Sequence, residues 1–214
     1  MVTVEIELIA ADLWEQVTEA AGHTTLRLTA SDIAHLALST QRNRQNRSAH
    51  KILVDRIGQE MLRDESVVWT GLVLRAGLTA SVGEPLRWKM CRPDVFSIRN
   101  TIFASYLEPI VHEIKVSRAD LLVDLKCKDK RGSNLDVGDQ CWYVLGRDSK
   151  GRPIGQADDV LPECGVLIAE PDRLHIARNA AKKTSRGLPF AIWMALAEAV
   201  PLHSSDPTSP QLPF

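Results

Sequence analysis

Two short stretches concentrate the side chains able to do chemistry: Arg92-Pro93-Asp94-Val95 and His112-Glu113-Ile114-Lys115-Val116. Read as a strand, IVHEIKV alternates its side chains, so Val111, Glu113 and Lys115 point one way and His112, Ile114 and Val116 the other. A carboxylate and an ammonium on an otherwise apolar strand need a reason, because burying charge is costly unless it is paired or bound to metal. Asp94 opens the preceding strand, at the end where a hairpin partner brings it beside Glu113. Asp94 and Glu113 then offer two hard oxygen ligands to Mg2+ or Mn2+, and the Ile114 carbonyl offers a third. Mg2+ suits such a set because it keeps several waters and takes only one or two protein carboxylates. Lys115 would lie beside a metal-bound water, positioning it and stabilising negative charge that develops on a phosphate. Those are the requirements for hydrolysing a phosphodiester. The plainer alternative is a Glu113–Lys115 salt bridge on an exposed strand face with Asp94 in a turn. For an isolated E-x-K that alternative is the commoner one.

The flanking sequence supplies elements to position these groups. PDVFSIR reads as a strand, IVHEIKVS as its neighbour, and Ser117 caps a helix over about 118–126 with Asp120 in the capping-box position. The polar stretch KCKDKRGSNLDVGD reads as a loop before the strand QCWYVLG, and GVLIAE is a further strand that RLHIAR can join. Upstream, VVWTGLVLRAG is apolar and β-branched and reads as one strand ended by Gly77. Ser48 is placed to cap a helix running to about Arg63. Before it, residues 2–8 suggest a short strand, ADLWEQVTEAAGH a helix, and Thr29 with Asp32 the cap of a short helix over about 31–40. TSRGLPFAIWMALAEAV is a final amphipathic helix, and the Pro- and Ser-rich tail after Pro201 reads as disordered. Alternating strands and helices with a hairpin-like pair at 94–116 predict an α/β fold: a mixed central sheet flanked by helices. The expected divisions are an acidic, small helical N-terminal extension (1–47), an α/β core (48–200) and the tail (201–214).

The order of these pieces resembles the PD-(D/E)xK nuclease superfamily: PD, a strand, E-x-K nineteen residues after the aspartate, a helix and another strand. More narrowly, RPDVFSIR…EIKVSRADLLVDLK…QCWYVL is similar to the MmcB-like group of bacterial DNA-repair-related proteins. The shared features are the arginine-preceded Asp strand, the E-x-K-x-S-x-x-D junction and the aromatic strand that follows, over about 90–170. The resemblance implies a restriction-endonuclease-like core, Asp94 and Glu113 as metal ligands, Lys115 as the catalytic lysine and DNA as partner. It also matches Gln140 to a glutamine used by exonuclease-like members, and an extra helix glutamate to Glu60 (or, less well, Glu84). Ser117 and Arg118 at the helix start, with Arg92, are the candidate DNA contacts. Plainer readings stand beside these: Gln140 as a strand-end residue, Glu60 as a surface acid, and Ser117 with Asp120 as a capping pair. Residues 1–47 have no counterpart in the group, and the 127–139 loop lacks its aromatic residues.

The composition sets the outer bounds. With 214 residues, 44% hydrophobic, 25% charged and a net charge of −1, disordered, collagenous and coiled-coil chains are excluded. No apolar run reaches the roughly 18 residues of a membrane helix. MVTVEIELIAADLWEQ lacks a basic leader, so no secretory signal is expected and the cytoplasm is the default. The near-zero net charge hides an asymmetry: residues 1–41 hold one basic residue against six acidic, and residues 42–118 hold 13 against eight. A basic middle permits a phosphate-bearing partner without requiring one. Cys91, Cys127, Cys141 and Cys164 show no CxxC spacing, which argues against zinc and leaves Cys141 and Cys164 as buried thiols. Two other roles stay open: a catalytically silent nuclease-fold module that binds DNA or a protein, and a regulatory role for the acidic arm. Self-association into a homodimer is also open.

Overall fold

Thr29 starts the first helix. Its hydroxyl accepts the Asp32 backbone N–H at 3.3 Å and donates to the Asp32 carboxylate, satisfying a donor the first turn would otherwise leave unpaired. In the computed structural model, which describes residues 14–18, 24–78, 87–183 and 187–203, helix α1 runs unbroken from Ala30 to Arg63. The two helices expected here are one, and Ser48 lies inside it rather than capping it. No Gly or Pro interrupts residues 30–57, and the Asn, Gln and Ser between carry only small propensity penalties. The chain divides into two compact units, Met1–Ser48 and Ala49–Phe214.

In the first unit, WEQVT is a strand rather than the expected helix. β1 (Trp14–Thr18) pairs antiparallel with β2 (Thr24–Leu28), from Trp14 opposite Leu28 to Thr18 opposite Thr24. Val17, Thr18, Thr24 and Thr25 are β-branched and suit a pleated pair. The strand expected at residues 2–8, and the tail from 204, lie outside the described residues.

The second unit is α/β. Its main sheet has six strands in the order β10-β9-β8-β7-β6-β3: β3 (Ser66–Thr70), β6 (Val95–Arg99), β7 (Ile110–Lys115), β8 (Gln140–Leu145), β9 (Gly165–Ala169) and β10 (Leu174–Arg178). β7, β8 and β9 are parallel neighbours, and the outer pairs β3–β6, β6–β7 and β9–β10 are antiparallel. The sheet is therefore mixed, as expected. The single strand expected over VVWTGLVLRAG is two: Gly71, at φ +68°, turns the chain out of β3 into β4 (Leu74–Leu78), a backbone conformation glycine adopts freely. β4 pairs with β5 (Arg87–Cys91) in a separate ribbon.

Strand alternation gives the sheet two apolar faces. Val68, Val95, Ile114, Val144 and Leu167 pack with Ile57 of α1. Phe96, Val111, Cys141, Tyr143, Leu145 and Val166 pack with Leu121 of α2 (Arg118–Lys126), Val137 of α3 (Lys128–Val137) and Ile192 and Leu196 of α4 (Phe190–Glu198). α3 replaces the expected loop. Its Ser133 and Asn134 are fully buried, so tertiary packing and hydrogen bonding sustain a helix that local propensity does not favour. Among the described residues, no helix is long and apolar enough to cross a membrane.

Candidate active site

The site forms where β6 and β7 run out of ladder. Their antiparallel pairing stops at Val95 opposite His112, and the next N–H on that flank, from Ile114, goes to a side chain. Ile114 N–H donates to Asp94 Oδ2 at 2.7 Å. The N–H and C=O of one strand residue face the same neighbour, so the Ile114 carbonyl lies on this flank too, where Pro93 has no N–H to give it. Asp94 is thus bonded to the residue between Glu113 and Lys115, which places the three expected residues at one end of the sheet.

Glu113 and Lys115 occupy the face covered by α2 and α3, and both are buried, with 1% and 8% exposed. Glu113 Oε2 accepts from Lys115 Nζ at 3.0 Å and Glu113 Oε1 from Asn134 Nδ2 at 2.9 Å. Lys115 Nζ has a second anion, Asp124 Oδ1, at 3.4 Å. The other Asp124 oxygen accepts from the Tyr143 hydroxyl at 2.7 Å. Burial, then Asp124, push the Tyr143 hydroxyl far above its ordinary value, so it remains a donor. Cys91 Sγ contacts Asn134 Oδ1 at 2.8 Å. The ion pair of the plainer reading therefore exists, but it is buried in a network rather than exposed on a strand face.

Asp94 turns toward α1. His50 Nε2 lies 3.2 Å from Asp94 Oδ1. Burial raises the Asp94 carboxyl, but the hydrogen bonds from His50 and the Ile114 N–H outweigh it and hold the group below its ordinary range. Reciprocally, the bond to Asp94 raises His50 above its usual 6.5 against burial and nearby Lys115.

The other candidates are dispersed. Ser117 is a helix cap, as the plainer reading had it: its hydroxyl accepts the Asp120 N–H and donates to the Asp120 carboxylate at 2.7 Å. Arg118 grips Asp159 through two bonds of 2.6 and 2.7 Å, and that pairing holds the Asp159 carboxyl at about 2. Gln140 begins β8 opposite Ile110 and accepts from Trp142 Nε1 at 3.1 Å. It stands three positions along the sheet from the Glu113–Tyr143 level, roughly 10 Å away. Glu60 pairs with Arg63 at 3.0 Å; ten residues of α1 separate it from His50, about 15 Å of helix. Arg92 is exposed and lines a cleft that also contains Asp94.

Sequence reasoning missed His50, Asp124, Asn134 and Tyr143. A signal for Asp124 was present: it falls three residues after Leu121, on the apolar face of α2, where a charge must find a partner. His112 is buried, its Nδ1 has no hydrogen-bond partner, and burial drives its pKa down to about 4. Cys141 and Cys164 are buried thiols, as expected. The hydrogen bond to Cys164, then burial, push the Cys141 thiol well up, so it is unreactive.

Two carboxylates and a carbonyl are the hard oxygen donors a small divalent cation prefers, so the donor chemistry suits Mg2+ or Mn2+. Each of the four carboxylate oxygens nevertheless has a protein donor: His50, Ile114 N–H, Asn134 and Lys115. Each oxygen keeps a second lone pair, so a cation at either carboxylate would share it with a cationic neighbour, His50 or Lys115. Among the described residues, no group of three or more His, Cys, Asp or Glu converges as a ready-made cage. No family model, curated protein or solved structure matches the chain.

Proposed function

We propose that the chain is a metal-dependent phosphodiester hydrolase acting on DNA in the cytoplasm, in repair or in defence, with a restriction-endonuclease-like core. The observation that carries this reading is the 2.7 Å bond from Ile114 N–H to Asp94, which ties the aspartate to the middle residue of E-x-K. Asp94, Glu113 and the Ile114 carbonyl would hold Mg2+ or Mn2+, which when bound supplies a water of lowered pKa and compensates phosphate charge. Lys115 presents its ammonium at the same sheet end, where it stabilises negative charge developing on a phosphate oxygen. Asp124, locked by Tyr143, keeps a counter-ion on Lys115 when Glu113 turns to a cation.

A second reading is a nuclease-fold module that binds DNA or a protein without cutting. The observation favouring it is that all four carboxylate oxygens are already engaged. Labelled linear, circular and branched DNA incubated with Mn2+ or with Mg2+ separates the two. Cutting by wild type and not by Asp94→Asn supports the hydrolase. Equal cutting by both, or none by wild type with either ion, rejects it.

A further inference from the structure

Of the three residues at the site, Asp94 is the accessible one: 22% of its side chain is exposed, against 1% for Glu113 and 10% for Lys115. It opens into a cleft of about 450 Å3 between α1, the Thr70–Val73 turn and the segment entering β6. That volume lies in the lower part of the roughly 300–1,000 Å3 range of clefts that take a small ligand, the scale of a segment of one strand.

The lining is chemically divided. Lys51 on α1 and Arg92 before β6 are both exposed cations in it, and Val54, Val73 and Pro93 supply an apolar strip. We propose that this cleft takes one strand of a nucleic acid, with backbone phosphate oxygens on Lys51 and Arg92 and the sugar against Val54, Val73 and Pro93. The choice of ligand rests on the hydrolase reading; the cleft itself does not.

Asp55 and Asp94 share the lining and oppose a phosphate. His50 and the Ile114 N–H answer the charge of Asp94, which leaves Asp55 as the lining charge that weakens binding. Among the described residues the lining has no Phe, Tyr or Trp, and the His50 imidazole is held by Asp94, so the stacking that gives single-strand binders much of their affinity is weak. Binding is accordingly weak, salt-sensitive and indifferent to base identity. Two phosphate contacts on a single strand give a slope of log K against log salt of about −1.4, and each contact removed flattens it by about 0.7.

The test is fluorescence anisotropy of the full chain with a short labelled oligonucleotide, single-stranded or as its blunt duplex, in Ca2+. Wild type is compared with Lys51→Gln, Arg92→Gln and Arg152→Gln; Arg152 pairs with Asp148 outside the cleft lining. The expected result is tighter binding of the single strand, weakened in Lys51→Gln and in Arg92→Gln with a flatter salt slope in each, and unchanged in Arg152→Gln. No binding by wild type, a preference for the duplex, or unaltered binding in both cleft variants overturns the proposal. Cleavage in Mn2+ separates this failure from that of the hydrolase. A protein that binds as expected but does not cut keeps the cleft and loses the hydrolase. A protein that cuts while both cleft variants bind and cut normally does the reverse.

Discussion

Replacing Lys115 by Met tests whether the buried network is a balanced charge cluster. Lys115 Nζ lies 3.0 Å from Glu113 Oε2 and 3.4 Å from Asp124 Oδ1, and the three side chains are 10%, 1% and 8% exposed. Methionine keeps most of the volume and removes the cation. Glu113 would keep its bond from Asn134 and Asp124 its bond from Tyr143, but both would lose their cation. Removing one partner of a buried ion pair typically costs about 3–5 kcal/mol, mostly for the charge left uncompensated. Two anions sharing one cation put Lys115→Met at the upper end of that range. With a urea m-value of about 2 kcal/mol/M, the midpoint falls by roughly 2 M. Adding Glu113→Gln removes one of the stranded charges while keeping an oxygen for Asn134, so the double variant should be more stable than Lys115→Met alone. Urea unfolding of wild type, both single variants and the double variant measures the coupling directly. A loss under about 1 kcal/mol in Lys115→Met, or additive effects in the pair, would refute the buried-cluster argument. The result also bears on any cleavage assay: a Lys115 variant that fails to cut has to be shown folded before the lysine is assigned to chemistry.

Three further outcomes follow from the geometry. Saturating Mn2+, at about 100 times its dissociation constant, should stabilise wild type by about 2.7 kcal/mol and leave Asp94→Asn unmoved, read as a thermal shift; equal shifts in both proteins would place the ion elsewhere. The Asp159 carboxyl, held at about 2 by Arg118 and the Gln156 N–H, has a folded value below its unfolded one. Its stabilisation is therefore complete above the unfolded value near 4 and is lost as pH falls toward 2. The pair is exposed and contributes under about 1 kcal/mol, so acid unfolding followed by circular dichroism should be only slightly shallower over that window in Arg118→Gln. Gly165→Ala should destabilise by about 1–3 kcal/mol in urea unfolding, because a Cβ there runs into the Trp142 ring and comes within 2.7 Å of the Ala180 backbone nitrogen.

What was legible in the sequence was local. Alternation located β6 to β9, and Ser117 with Asp120 marked the start of α2. The spacing of Asp94, Glu113 and Lys115 marked residues that the fold joins through a single backbone bond. The misreadings came where distant contacts outweigh local preference. WEQVT has helix-forming residues but gains a cross-strand partner. KDKRGSNLDV has weak helix propensity but places Asn134 against Glu113, 21 residues away. The polar QRNRQNR suggests a break, yet nothing in it stops a helix already propagating. His50 and Glu60 share α1, and choosing between them needed the docking of that helix on the sheet, which its periodicity alone does not give.

The bond between Asp94 and Ile114 has a consequence for how this sequence changes over generations. Asp94 finishes a hydrogen-bond ladder that Pro93 leaves short on the other strand, and Glu113 and Lys115 neutralise each other in the interior. Folding alone thus selects for an oxygen at 94 and for opposite charges at 113 and 115. On the hydrolase reading, a descendant that had ceased to cut would be free to change at exposed Lys51 and Arg92 while folding still constrained the three buried or half-buried positions. The rim of the cleft, rather than the motif at its floor, is where loss of an activity would first become visible.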